Sequence, residues 1–133
     1  MLLARQGRFV SGQIVEAMAA MELTLRHCAV LAQLSRCGPT SQQDLLGSLS
    51  VDPSALVSVL NDLERRGLAE RRRDPTDRRR HIVEMSVRGS EVLCRTETAV
   101  AQAEAWLFAD LDEDEGERLR ALLGKVRITP DGP

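Results

Sequence analysis

The chain has no tyrosine, and its only aromatic residues, Phe9, Trp106 and Phe108, lie far in sequence from its arginine-rich segment. Unpaired bases are held by stacking on aromatic rings, so RNA and single-stranded DNA are disfavoured as partners. Histidine is limited to His27 and His81, and Cys28, Cys37 and Cys94 show no C-x-x-C spacing, which leaves no metal-ligand set. An odd number of cysteines, two of them inside helical patterns, predicts free thiols in a reducing compartment. There is no Ser-His-Asp set, no glycine-rich phosphate loop and no carboxylate pair in an evident cleft, so neither catalysis nor a cofactor is expected. The acidic run Asp112 to Glu115 is explained by a helix start rather than a cation site. No stretch approaches a membrane span, and no apolar run near Met1 ends in a small-residue cleavage site, which predicts a cytoplasmic protein without membrane contact.

What is present is enough for one core. With 133 residues and 43% hydrophobic content, a single domain is the expectation. The formal net charge is -2, but it is unevenly spread. Between Glu64 and Arg80 eight arginines oppose four acids, a local +4, so the remainder sums to -6. Positive potential is thereby concentrated on one region, and an acidic total does not exclude a polyanionic partner.

Apolar spacing predicts a first helix from Leu2 to Met21 and a second from a Thr24 cap to Cys37, with His27, Val30, Leu31 and Leu34 as its core stripe. Gly38-Pro39 ends it. Ser41 caps a short third helix, Asp44 sits where a capping box places its acid, and Leu45, Leu46 and Leu49 face the core. Ser48 to Val51 is a tight connection, and Asp52-Pro53 opens a fourth helix. Two short helices so closely joined form a helix-turn-helix. In the fourth helix Leu56, Leu60 and Leu63 point inward, while Ser54, Ser58, Asn61 and Arg65 recur on the outer face. Gly67 stops it, and Leu68–Arg73 with Arg79–Met85 make two strands around the turn Asp74 to Asp77. Ser86 caps a long fifth helix reaching about Ala109, and a sixth carries Leu119, Leu122, Leu123 and Val126. The tail from Thr129 to Pro133 is expected to fray.

The order of elements is mainly α with a small β wing. Specific residues then make the chain resemble the MarR family of bacterial transcriptional regulators. They are Leu23-Thr24, Gly38-Pro39 with Ser41 and Leu45, Leu63-Glu64-Arg65-Arg66-Gly67-Leu68, and Arg71 followed by Asp74-Pro75-Thr76-Asp77-Arg78-Arg79, then Val83, Met85-Ser86 and Gly89. The Asp-x-Arg formed by Asp77 and Arg79 looks like the family's wing signature. The resemblance implies a homodimer with residues 1–23 and 87–128 as dimerisation helices and 24–86 as a winged helix-turn-helix reading a palindromic operator. It also implies release by a small molecule, often an aromatic acid, or by cysteine oxidation. Two departures are visible: Ser58 stands where the family often carries Arg, and the first helix starts almost at Met1, so extra N-terminal dimer contacts are expected to be absent or truncated.

The expected partner is double-stranded DNA, bound by a non-enzymatic regulator, most simply a repressor. Ser54, Ser58 and Asn61 are suited to base edges, Asn by a bidentate pair with adenine, and Val57 to a thymine methyl. Arg65 and Arg72 are assigned to DNA contact, as are Ser41 and Gln42 through the amides of a helix N-terminus. Arg78, Arg79 and Arg80 form a hairpin tip that is electrostatically unfavourable without a polyanion. One guanidinium would enter a narrow minor groove, oriented by a planar pair with Asp77. A ligand pocket is placed among Met18, Met21, His27, Cys28 and Leu31. Two alternatives remain: a winged-helix adaptor that docks its arginines on an acidic protein, and a regulator that senses oxidation through cysteine.

Overall fold

A computed structural model describes residues 1–126, with the backbone alone at Leu2 and Leu3. The expected fraying of Thr129 to Pro133 falls outside the described residues. Helix α1 (Leu2–Ala19) ends before Met21, in a turn where Glu22 adopts φ 55° and Leu23 N–H donates to Met18 O at 2.9 Å. Helix α2 (Leu25–Cys37) follows at once. Its cap is reciprocal: Thr24 Oγ1 accepts the His27 N–H, and His27 Nδ1 accepts the Thr24 N–H at 3.1 Å. Histidine here takes the place usually filled by Glu or Gln, in a motif that contributes about 1 kcal/mol. The stripe His27, Val30, Leu31 and Leu34 is buried as expected.

Strand β1 (Thr40–Ser41) runs into helix α3 (Gln42–Leu49). The Asp44 side chain accepts from Ser41 Oγ at 2.5 Å rather than from the Ser41 amide. Aspartate is one methylene shorter than the Glu of a capping box, so only half of that motif forms. Ser50, at φ 49°, closes the helix, which therefore extends through part of the expected connection. Asp52 then caps helix α4 (Pro53–Arg65), accepting from Ser54 N–H and Oγ, bonds that hold its carboxyl below the usual range. Leu56, Leu60 and Leu63 are buried together with Leu31, Leu45, Leu68 and Val83. Each such side chain removed from water contributes about 1.5 to 3 kcal/mol.

The wing differs from the two-stranded expectation. Strands β2 (Ala69–Arg73) and β3 (His81–Met85) pair antiparallel, but β1 also pairs with β3, giving a three-stranded sheet of order β1-β3-β2. Arg79 and Arg80 belong to the intervening loop rather than to a strand, because Asp74 N–H closes it on Arg80 O at 3.0 Å. Gly67, at φ 67°, makes the turn from α4 into β2 that an L side chain rarely permits.

Helix α5 (Val87–Leu107) is capped by Ser86, whose Oγ also donates to Gly67 O at 2.7 Å. It packs along α1 and α2, with Gly89 pressed onto the wing base: a Cβ there would lie 2.1 Å from Leu68 O. Helix α6 (Glu113–Leu123) has a full capping box from Asp112 and Glu115, yet buries no residue. Phe9 on α1 and Trp106 on α5 stack with ring centroids 5.5 Å apart, and Trp106 stays 68% exposed. No helix among the described residues is long and apolar enough to cross a membrane.

Candidate nucleic-acid interface

The outer row of α4 is set by the same periodicity that buries Leu56, Leu60 and Leu63. Ser54, Val57, Ser58, Asn61 and Arg65 are all exposed. Their chemistry is not equally free. Ser54 donates its hydroxyl proton to Asp52, and Arg65 is paired with Asp62 one turn back. Asn61 Oδ1 accepts from Arg71 Nη2, so half of the expected bidentate adenine contact is already engaged.

Arg71 joins α4 to the wing. Its Nε and Nη2 donate to Glu64 Oε2 at 3.0 and 2.7 Å, and its backbone N–H donates to Glu64 Oε1 at 3.0 Å. These bonds hold the Glu64 carboxyl below its ordinary range. Arg72, on the opposite face of β2, lies 3.7 Å from Glu84 across the strands, so its charge is shared with a neighbouring acid.

The three arginines of the loop divide. Arg80 turns back to α3, donating to Ser41 Oγ at 3.3 Å and lying 3.8 Å from Asp44. Ser41 is 5% exposed, its hydroxyl taken up by Asp44 and Arg80, so a contact of this residue with phosphate would have to come from the backbone amides at the start of α3 rather than from its side chain. Gln42, at the first position of α3, stays half-buried beside it. Arg78 and Arg79 are exposed, and among the described residues no carboxylate lies within 4.0 Å of either guanidinium. Asp77 does not form the expected planar pair with Arg79; its carboxylate accepts the Arg79 backbone N–H at 3.0 Å. Asp74 likewise accepts from Thr76 N–H and Oγ1, which lowers its pKa. The loop acids thus fix the backbone and leave the guanidiniums unneutralised. Arg73 adds to this by donating to Arg78 O at 3.3 Å. A cleft of about 270 Å³ opens between α3, α4 and the loop, bordered by Gln42, Pro53, Val57, Arg79 and His81.

A second cluster was not foreseen from sequence. Arg66 donates to Met21 O and Glu22 O, each at 2.6 Å, and lies 3.8 Å from Asp62. It ties the end of α1 to the end of α4. Asp62 in turn lies 3.0 Å from His27 Nε2, in poor alignment for a hydrogen bond. Burial pushes the His27 pKa down, outweighing the opposite pull of Asp62. Nothing in the local pattern marks Arg66, since its partners are carbonyls more than 40 residues away.

The residues assigned to a ligand pocket belong to the core of the protomer. Met18, His27 and Leu31 are buried, and Met21 and Cys28 pack against the same core. His27 borders an open cleft beside α4, with Thr24, Ser58, Asn61 and Asp62. The thiols are free; burial pushes the Cys28 thiol up, whereas Cys37 and Cys94 are exposed.

Comparison with known proteins fits this geometry. The MarR family model matches residues 23–81. A protein of Thauera aromatica, whose name assigns it to transcriptional regulation of the hcr operon, is 38% identical over 86 residues, covering 65% of this chain and 52% of that protein. The chain thus matches about half of that relative's length. Wild-type apo MarR of E. coli superposes with a TM-score of 0.78 at 27% identity, covering 95% of this chain and 96% of that one. Its cysteine-to-serine variant complexed with operator DNA gives 0.72 at 26% identity, covering 96% and 95%. The PcaV transcriptional regulator of Streptomyces coelicolor, solved with its natural ligand, gives 0.70 at 28% identity, covering 92% and 87%.

Proposed function

Residues 23–81 match the MarR family model, and from that premise we propose that the protein is a MarR-family regulator, a homodimeric transcriptional repressor of a palindromic operator. The observation that carries this reading is the pair Arg78 and Arg79, two exposed cations without acid partners among the described residues, with Arg79 bordering the cleft that Pro53 and Val57 of α4 also line. In this reading α4 lies in the major groove, where Ser54, Val57, Ser58 and Asn61 meet base edges. The loop enters the adjacent minor groove, whose negative potential receives a guanidinium. Arg65 and Gln42 face phosphate.

The dimer is supported by apolar surface that the protomer leaves uncovered. Phe9, Trp106, Leu122 and Leu123 are exposed, and α6 has no buried residue of its own. A second copy would cover this surface with residues 1–23 and 87–128. A small ligand as the signal for release is supported by the likeness to PcaV, which was solved with its natural ligand.

Footprinting and anisotropy titration of the DNA flanking the gene test the proposal. One palindromic site is expected, with half-sites about one helical turn apart and affinity falling steeply as salt rises. Absence of any protected site at low salt refutes it and leaves the adaptor reading in its place. A stable monomer at micromolar concentration in sedimentation refutes the dimer.

A further inference from the structure

Asn61 points outward from α4, yet its amide is held. Arg71 donates to Asn61 Oδ1 while two of its nitrogens hold Glu64 Oε2 and its own backbone N–H is held by Glu64 Oε1. A guanidinium carries only donors. The two ends of an amide are nearly alike in shape, but here chemistry assigns them: oxygen must face the arginine, and Nδ2 faces away. Arg71 is 22% exposed and fixed at several points, so it acts as a rigid template rather than a mobile cation.

We propose that Arg71 is a positioning residue that makes Asn61 a hydrogen-bond donor toward DNA, so that the base it reads in the major groove is guanine rather than adenine. The proposal rests on the operator-binding reading above. Recognition of adenine by asparagine uses both ends of the amide, oxygen accepting from N6 and nitrogen donating to N7. Arg71 takes one of the two lone pairs of Oδ1 and holds that oxygen toward the wing, so the NH2 group is the end presented to the groove. Guanine offers it two adjacent acceptors, N7 and O6, whereas the N6 amino group of adenine sets a donor against a donor. Ser58 carries a hydroxyl that both donates and accepts, so it imposes no such bias, and Ser54, whose proton is held by Asp52, is left an acceptor and cannot supply the bond to guanine N7 or O6.

Selection of sites from a random DNA pool by the full-length protein tests this, using wild type, Asn61→Ala and Arg71→Met. The position whose preference disappears in Asn61→Ala identifies the base pair read. Wild type should favour guanine over adenine there by about tenfold, the scale of one good base contact. Replacing that guanine by 7-deazaguanine, which lacks the N7 acceptor, should weaken binding by about fivefold. Arg71→Met frees the oxygen and should move the preference toward adenine. An adenine preference in wild type, or an unchanged guanine preference in a folded Arg71→Met dimer, overturns the proposal. Should Arg71→Met lose its circular dichroism signal, the 7-deazaguanine duplex with wild type decides alone, and unchanged binding overturns it. If wild type enriches no sequence at all, the operator-binding reading fails first, a result distinct from enrichment of the wrong base.

Discussion

Arg65 and Arg66 are consecutive, carry the same charge and both reach Asp62, so replacing each by alanine separates position from chemistry. The Arg65 side chain is 77% exposed and its pairing with Asp62 is a one-turn surface contact. Such pairs contribute about 0 to 1 kcal/mol, since water and salt screen them. Arg66 is 21% exposed and donates to two carbonyls at 2.6 Å, those of Met21 and Glu22. A hydrogen bond to a charged group contributes about 1.5 to 3 kcal/mol, and water entering the vacated site restores part of it. Arg66→Ala should therefore cost about 2 to 3 kcal/mol, and Arg65→Ala less than about 1 kcal/mol. Urea unfolding reads the difference at one fixed protein concentration, because a dimer's stability depends on concentration. Equal midpoints for the two variants, or a loss below about 0.5 kcal/mol for Arg66→Ala, would refute the view that these carbonyl bonds fix α1 to α4.

Three further outcomes follow from the geometry. Gly89→Ala places a Cβ 2.1 Å from Leu68 O and 2.9 Å from Met85 Cγ, and the first of these is backbone that must move. It should destabilise by about 2 to 3 kcal/mol in thermal unfolding, while unchanged stability would show that α5 does not press on the wing base. Arg79→Ala should weaken operator binding by about 1 to 3 kcal/mol and flatten its salt dependence, with Arg72→Ala, already beside Glu84, losing less; equal losses in a salt-varied anisotropy titration would contradict this. His27 is held below its ordinary 6.5 chiefly by burial, Asp62 opposing and Arg66 assisting, so the unfolded chain binds this proton more readily than the folded one. Its contribution is present above 6.5 and lost as pH falls through the folded value, so His27→Gln should flatten the pH dependence of melting on the acid side of neutrality. An identical pH profile in the variant would count against it.

Local signals were readable in the sequence because their causes are local. The caps at Thr24, Ser41, Asp52, Ser86 and Asp112, and the inward rows of α2 and α4, depend on neighbours three or four residues away. Strand β1 was not readable: Thr40-Ser41 has the composition of a cap, and its partners Val83 and Ile82 come from the far side of the helix-turn-helix. Charge counting also reached its limit at the arginines. Composition gives each the same weight, but Arg71, Arg72 and Arg80 are drawn to Glu64, Glu84 and Ser41, and only tertiary placement singles out Arg78 and Arg79. For Met18, Met21, Cys28 and Leu31 the residue types suit a pocket wall and a packed core equally well, and in the protomer they join or pack against the core.

Strand β1 has a consequence for how the chain acquires this structure. A hairpin of β2 and β3 alone would present an open edge, and that edge is satisfied only when Thr40 and Ser41 reach Val83 and Ile82. The closure spans on the order of 40 residues, so its entropy cost falls before its hydrogen bonds form. The helix-turn-helix and wing are thereby committed together, and amide exchange in β1 and β3 should occur in one cooperative opening rather than strand by strand.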